Sequence, residues 1–171
     1  TVEYLLRLAD SNLIISHRLS EWCGHGPIIE EDIALTNIAL DFIGSATALY
    51  TYAAQIENKG RTEDDLAFMR NEREYRNLLL TEQPNGDYAS TIARQFLYDT
   101  YTYYLYDALK QSKDETIAAL AVKSHKEIIY HLRHSTQWMY RLGDGTAESQ
   151  QRLQTAINDL WMFTPDLFDM D

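Results

Sequence analysis

Lys126-Glu127-Ile128-Ile129-Tyr130-His131 is the stretch on which the reading of this chain turns. Turned at 100° per residue, the segment around it lines up Ile117, Ala121, Ser124, Ile128, His131, Ser135 and Leu142 on one face of a helix. An imidazole therefore sits in an otherwise apolar stripe. In four-helix bundles that hold two metal ions, two helices each supply a Glu and the other two each supply a Glu-x-x-His pair. His131 stands where such a histidine would stand. Three residues earlier, where the Glu belongs, the chain has Ile128. Keeping the imidazole and losing its bridging acid is the mark of a metal-site scaffold without its metal.

Working outward, the pattern is helical throughout. The periodicity predicts helices over 2–22, from 28 to 58, over 88–111 and over 114–142. Thr62 with Asp65 three residues on predicts a capping box that opens a further helix to about Glu82, and Thr146 starts a last helix that ends before Pro165. Cys23-Gly24-His25-Gly26-Pro27, Pro84-Asn85-Gly86 and Gly143-Asp144-Gly145 punctuate them. Long helices joined by short turns predict an all-α antiparallel bundle, read as one domain over 1–171.

Each of four helices carries a polar group in mid-stripe. The first lines up Leu5, Leu8, Asn12, Ile15, Ser16 and Leu19. The second lines up Ala34, Ile38, Asp41, Ser45, Ala48 and Tyr52, and the 88–111 helix lines up Tyr88, Ile92, Phe96, Asp99, Tyr103 and Tyr106. Asp41 and Asp99 require partners, because an unpaired carboxylate in an apolar stripe costs several kcal/mol. With His131 they predict a buried polar network or weak ligation of a single metal ion. Two acids and one imidazole fall short of the four carboxylates and two histidines of a full di-iron site.

The composition narrows the function classes. The net charge is −11 and the pI about 4.8, which argues against nucleic acid and fits solubility or a basic partner. A single cysteine, Cys23, rules out an internal disulfide and points to a reducing, cytoplasmic setting. No signal peptide and no apolar run long enough to span a bilayer is read, so no membrane partner is expected. The chain opens at Thr1 inside a helical pattern, so a preceding segment is expected.

Several stretches carry a resemblance: Arg18-Leu-Ser-Glu-Trp-Cys-Gly-His25, Glu31-Asp-Ile-Ala-Leu35, Asn37-Ile-Ala-Leu-Asp41 and Asn77-Leu-Leu-Leu80. Glu82-Gln-Pro-Asn-Gly-Asp87, Tyr130-His-Leu-Arg133 and Arg141-Leu-Gly-Asp-Gly-Thr146 continue it. In order and spacing these resemble the structural, non-catalytic C subunits of bacterial phenylacetyl-CoA monooxygenase (ring-1,2-epoxidase) complexes. Chains of that family continue further at the C-terminus. The resemblance implies a ferritin-like bundle, paired with a related catalytic subunit that carries the di-iron centre.

Matching the helices of the two subunits places Asn12 at the first-helix Glu. It places Asp41 at the Glu and Gly44 at the His of the second-helix Glu-x-x-His, and Asp99 at the acid of the next core helix. Ile128 falls on the last Glu and His131 on the last His. Asn12, Gly44 and Ile128 thereby lose ligand chemistry, since an amide is a poor ligand and the other two have no donor atom. The resemblance thus implies no catalytic, cofactor-binding or metal-binding residue and no cofactor in this chain. It implies a catalytic oxygenase subunit as partner, with a reductase and small accessory subunits in the same complex.

Two rivals stand beside this reading. One is an independent di-metal oxygenase built from Asp41, Glu72, Asp99, Glu127 and His131. The other is a homo-oligomeric helical scaffold. Smaller signals have plainer readings. Glu72-Arg73-Glu74-Tyr75 reads as a solvated charged face with a buried Tyr, and Glu127 with His131 as an i,i+4 ion pair. His134 lies about 60° off the stripe. Cys23 near His25 is weak as a nucleophile, and no phosphate-binding loop or Cys-x-x-Cys is present. Tyr98, Tyr101, Tyr103, Tyr104 and Tyr106 cover every face of their helix, which suits a central helix or a wet protein interface.

Overall fold

A computed structural model describes residues 1–168, and every regular element among them is a helix. The all-α expectation of a ferritin-like bundle holds. The chain divides into two compact units, Thr1–Glu82 and Gln83–Asp171.

The first unit is built on two long helices, α1 (Val2–Ser20) and α2 (Ile29–Glu57). They run antiparallel: Asp10 meets Tyr50, and Asn12 meets Ser45. Leu5, Leu8, Ile15 and Leu19 of α1 are buried, as their spacing predicts, along with Leu35, Ile38, Phe42 and Leu49 of α2. Burying aliphatic side chains of this size contributes about 1.5–3 kcal/mol each. The turn between the helices is set by Asp32, whose Oδ2 accepts the Gly26 N–H at 3.0 Å. That hydrogen bond, with others from Gly24 and His25, holds the Asp32 carboxyl below its usual range. A Cβ on Gly26 would lie 2.7 Å from the Asp32 backbone, so the motif needs glycine there.

Two expectations fail in this unit. The buried face of α2 is Leu35, Ile38, Ala39, Phe42, Ala46, Leu49, Tyr50 and Ala53, so of the predicted stripe only Ile38 is buried. Ala34, Asp41, Ser45, Ala48 and Tyr52 are half-buried. The helix is apolar on so many sides that hydrophobicity alone does not fix its rotation. For the same reason α2 is, by length and composition, apolar enough to cross a membrane, where the sequence reading finds no such run. Half of its most apolar window is buried within the chain.

The second failure is the helix expected up to Glu82. The capping box at Thr62 and Asp65 is present, but it opens only a short α3 (Glu63–Phe68). A 3-10 turn at Glu72–Glu74 and a short α4 (Leu79–Glu82) follow. Tertiary partners overrule the helix. The Arg76 backbone N–H donates to Asp10 Oδ2 at 2.6 Å and the Leu78 N–H to Ser11 Oγ at 3.1 Å. Backbone donors taken by α1 side chains are withdrawn from a helical ladder.

The second unit pairs α5 (Tyr88–Leu109) with α6 (Glu115–Gly143), again antiparallel, and adds α7 (Ala147–Trp161). Asp99 meets Ser135, and the Tyr88 ring packs edge-on to Trp138 at 5.0 Å. Asp87, Asp114 and Thr146 cap the three helices through their side chains. The predicted α6 stripe is buried from Ile117 to Ser135, with Leu142 half-buried. Arg94 is wholly buried and donates to the Gln83 carbonyl and to Asn85 Oδ1 at 2.7 Å, tying the Pro84-Asn85-Gly86 turn to α5.

Candidate functional site

The polar groups of the second unit gather around one carboxylate. Asp99 is fully buried on α5. Its Oδ1 accepts the Gln95 Nε2–H at 2.6 Å, one turn earlier on the same helix. Its Oδ2 accepts the Ser135 hydroxyl at 2.7 Å, from α6. Burial pushes the carboxyl up to about 6, against the opposing pull of the His131 charge and of the Ser135 and Gln95 hydrogen bonds. His131 is 1% exposed on α6, one turn before Ser135. The antiparallel hairpin therefore brings together two of the predicted residues, Asp99 and His131. Gln95 was not singled out by the sequence reading. Its signal was the i,i+4 spacing to Asp99.

Ile128 is buried in the apolar cluster of Tyr106 and Ala121. It is a core side chain, one turn from His131. Among these positions the second unit thus has an acid, an imidazole and an aliphatic group.

The predicted positions of the first unit behave differently. Asn12 is buried, and its amide donates to Ser45 Oγ at 3.1 Å. Asp41 is half-buried on α2. Gly44 is exposed, and a Cβ there would meet nothing within 4 Å. Glu72, which the independent-oxygenase rival needs, is exposed on the 3-10 turn.

The strongest buried charge in this unit escaped the sequence reading. Asp10 is wholly buried and ion-paired with Arg70, whose side chain is 4% exposed. Tyr50 donates its hydroxyl to Asp10 Oδ1 at 2.5 Å. Burial, with the Asp10 charge, holds the Tyr50 phenol well above its usual range. The Arg70 guanidinium stacks on Tyr75 at 4.4 Å from the ring centroid. It also donates to the Leu66 and Glu74 carbonyls. The cluster is thus a structural joint between α1, α2 and the segment after α3. One sequence signal was available: Asp10 lies between Leu6 and Leu13 on a second apolar line of α1.

A di-iron centre needs carboxylates that bridge the two ions and histidines with a free lone pair. Of the six matched positions, Asn12 offers an amide already donating to Ser45, and Gly44 and Ile128 offer no donor atom. The donor set does not fit the group. Among the described residues no grouping of three or more His, Cys, Asp or Glu side chains is placed to hold a metal ion. Cys23 and His25 are both exposed, with His25 Nδ1 3.1 Å from the Cys23 carbonyl, and no base–nucleophile contact joins them. Among the tyrosines of α5, Tyr98 and Tyr106 are buried, and Tyr104 is exposed on a groove of about 540 Å³ lined by Phe96, Tyr101, Trp161 and Phe168.

Comparison with known proteins agrees with the motifs. The chain is 52% identical over 168 residues to a protein of Escherichia coli (strain K12) named as the C subunit of 1,2-phenylacetyl-CoA epoxidase. The match covers 98% of this chain and 67% of that protein. A family model described as phenylacetic acid catabolic protein matches residues 1–171. Identity at this level, carried along the whole chain, makes this protein a member of the phenylacetic acid catabolic protein family.

Proposed function

We propose that this chain is the structural subunit of a multicomponent oxygenase that epoxidises the ring of phenylacetyl-CoA in aerobic phenylacetate degradation. Its work is to pair with a related di-iron subunit and stabilise it. Oxygen, and reducing equivalents from a separate reductase, act on that partner. The likeness to the C subunit of an epoxidase supports the complex. The observation that carries the non-catalytic role is the donor set at the six matched positions. Asn12 is committed to Ser45, Gly44 has no side chain, and Ile128 belongs to the apolar core.

The residues that remain have structural work. Asp99 is held by Gln95 and Ser135. A carboxylate in this state serves as a hydrogen-bond acceptor inside a core. His131 beside it tempers the cost of its burial.

The test is co-purification of this chain with the catalytic subunit, followed by iron counting on each separated chain. The expected result is a stable complex with iron on the partner only. Two irons bound tightly to this chain alone would establish the independent oxygenase instead. A chain that only associates with itself would establish the scaffold.

A further inference from the structure

The outward side of α6 is apolar and basic, in a chain whose net charge is −11. Val122 is 45% exposed, Ile129 50% and Tyr140 69%. At 100° per residue these three, with Lys126 and Arg133, fall within about 60° of one another. Lys123, Tyr130 and Arg141 lie on the adjoining line. The buried stripe of Ile117, Ala121, Ile128, His131 and Ser135 is turned away from this face. From Val122 to Arg141 the face runs about 28 Å, at 1.5 Å per residue. Single exposed apolar residues mean little, but a continuous face of this length marks an interaction surface.

The cations on this face are not spent inside the chain. Lys123, Lys126, Arg133 and Arg141 are exposed, and no acid among the described residues forms an ion pair with any of them. Elsewhere in the unit Lys110 pairs with Asp107 and Arg152 with Glu148, each at 2.6 Å. Glu127, the acid within this span, is half-buried and turned about 120° from Arg133. Two of the cations are held in place by aromatic rings. The Arg133 guanidinium lies 5.7 Å from the Tyr130 ring centroid, and that of Arg141 lies 5.0 Å from the Trp138 ring centroid. A cation already ordered on the surface loses less freedom when a carboxylate arrives.

A groove of about 320 Å³ opens in the same face, between Tyr103 of α5 and Ile129, Leu132, Arg133 and Tyr140 of α6. Tyr and Arg around an apolar pocket are the residues that carry most of the energy in protein interfaces. Charge and shape select the occupant. Unpaired cations beside an apolar groove call for an apolar ridge bordered by Asp or Glu. The face is too long for a small anion and matches about five turns of helix. An anionic bilayer is flat and leaves a groove unfilled, and the net charge of −11 opposes its approach, as it does that of nucleic acid.

We propose that the Val122–Lys126–Ile129–Arg133–Tyr140 face of α6 is the docking surface for an apolar, acid-bordered helix of the catalytic subunit. This rests on the oxygenase-subunit reading above. Lys126→Glu, Arg133→Glu and Tyr140→Ala change exposed side chains of the face. Lys113→Glu, exposed in the turn before α6, changes the net charge equally and lies off the face. Each variant and the parent, as full chains, are titrated with the catalytic subunit and with phosphatidylserine vesicles. The melting temperature and sedimentation of each chain alone are also recorded. The expected result is tight binding of the catalytic subunit by the parent and unchanged melting throughout. Binding weakens about 10-fold in Lys126→Glu and Arg133→Glu, through slower association, and about 30-fold in Tyr140→Ala. Lys113→Glu binds like the parent. Parent-like affinity in the three face variants overturns the proposal while leaving the oxygenase reading intact. An equal loss in Lys113→Glu also overturns it, because net charge then accounts for the effect. A parent that never binds the catalytic subunit overturns that reading and the proposed occupant together. Face variants that lose only vesicle binding, or only a self-association seen in the parent, assign the face to a membrane or to a second copy, and either result overturns the proposal.

Discussion

At the scale of single residues, Asp99 is the group whose chemistry and position are most tightly bound together. Its carboxyl is raised from 3.8 to about 6, chiefly by burial. For an acid, a folded value above the unfolded one means that the folded state binds the proton more tightly. Stability therefore rises as pH falls from about 6 towards about 4, and the cost of the buried charge is fully present above about pH 6. That cost is roughly 3 kcal/mol at neutral pH. Asp99→Asn removes the titration and keeps the shape. Its stability relative to the parent, from urea unfolding, should therefore shift by about 2–3 kcal/mol between pH 7.5 and pH 4, in the variant's favour at the higher pH. A difference that stays constant with pH would mean that the folded and unfolded states hold the Asp99 proton equally well, so that burial does not shift it. His131→Ala takes away the neighbouring imidazole and leaves a cavity. A loss of about 3 kcal/mol at pH 7.5 is the expected outcome in the same assay. Parent-like stability would show that the imidazole does not support the carboxylate.

The elements show where local pattern is enough and where it is not. The predicted stripes of α1 and α6 are buried, including Asn12 and His131, apart from the half-buried Leu142, but α1 also buries a second line of Leu6, Asp10 and Leu13 that its first stripe does not announce. α2 is apolar nearly all round, and its rotation followed from what packed on it. The stretch 69–78 has the composition of a helix, yet it is drawn out of one by Asp10 and Ser11, more than sixty residues away. No window of neighbouring residues contains that information. The glycine turns, by contrast, are local. Gly26→Ala would press its Cβ to 2.7 Å from Asp32 and break the bond that starts α2. A loss of about 2–4 kcal/mol is expected, visible as a lower melting temperature. The outcome that would sink this account is an unchanged one.

For the whole molecule, the question is whether a di-iron site lies one mutation away. On the proposed reading of the six matched positions, it does not. Ile128→Glu supplies the missing acid beside His131, but Asn12 stays bonded to Ser45 and Gly44 still offers nothing. The purified variant, reconstituted with ferrous iron and assayed by metal analysis, is expected to hold no stoichiometric iron. Its stability should fall by about 3 kcal/mol, because the new carboxylate enters the cluster of Tyr106 and Ala121. Two irons per chain in that variant would mean that the remaining donors suffice after all.

Read by itself, the sequence determined that the chain is all-helical, where most helices begin and end, and which family it joins. Those properties rest on periodicity, caps and short motifs, each settled within a few residues of chain. It also placed Asp99 and His131 on buried stripes. Only the tertiary structure decided that Ser135 and Gln95 hold Asp99, that Asp10, Tyr50 and Arg70 form the buried joint of the first unit, and that the outward face of α2 is Ile29, Ile33 and Leu40. A buried charge must find its partner in space, whatever the sequence separation. A helix apolar on every side takes its rotation from whichever neighbours it packs against.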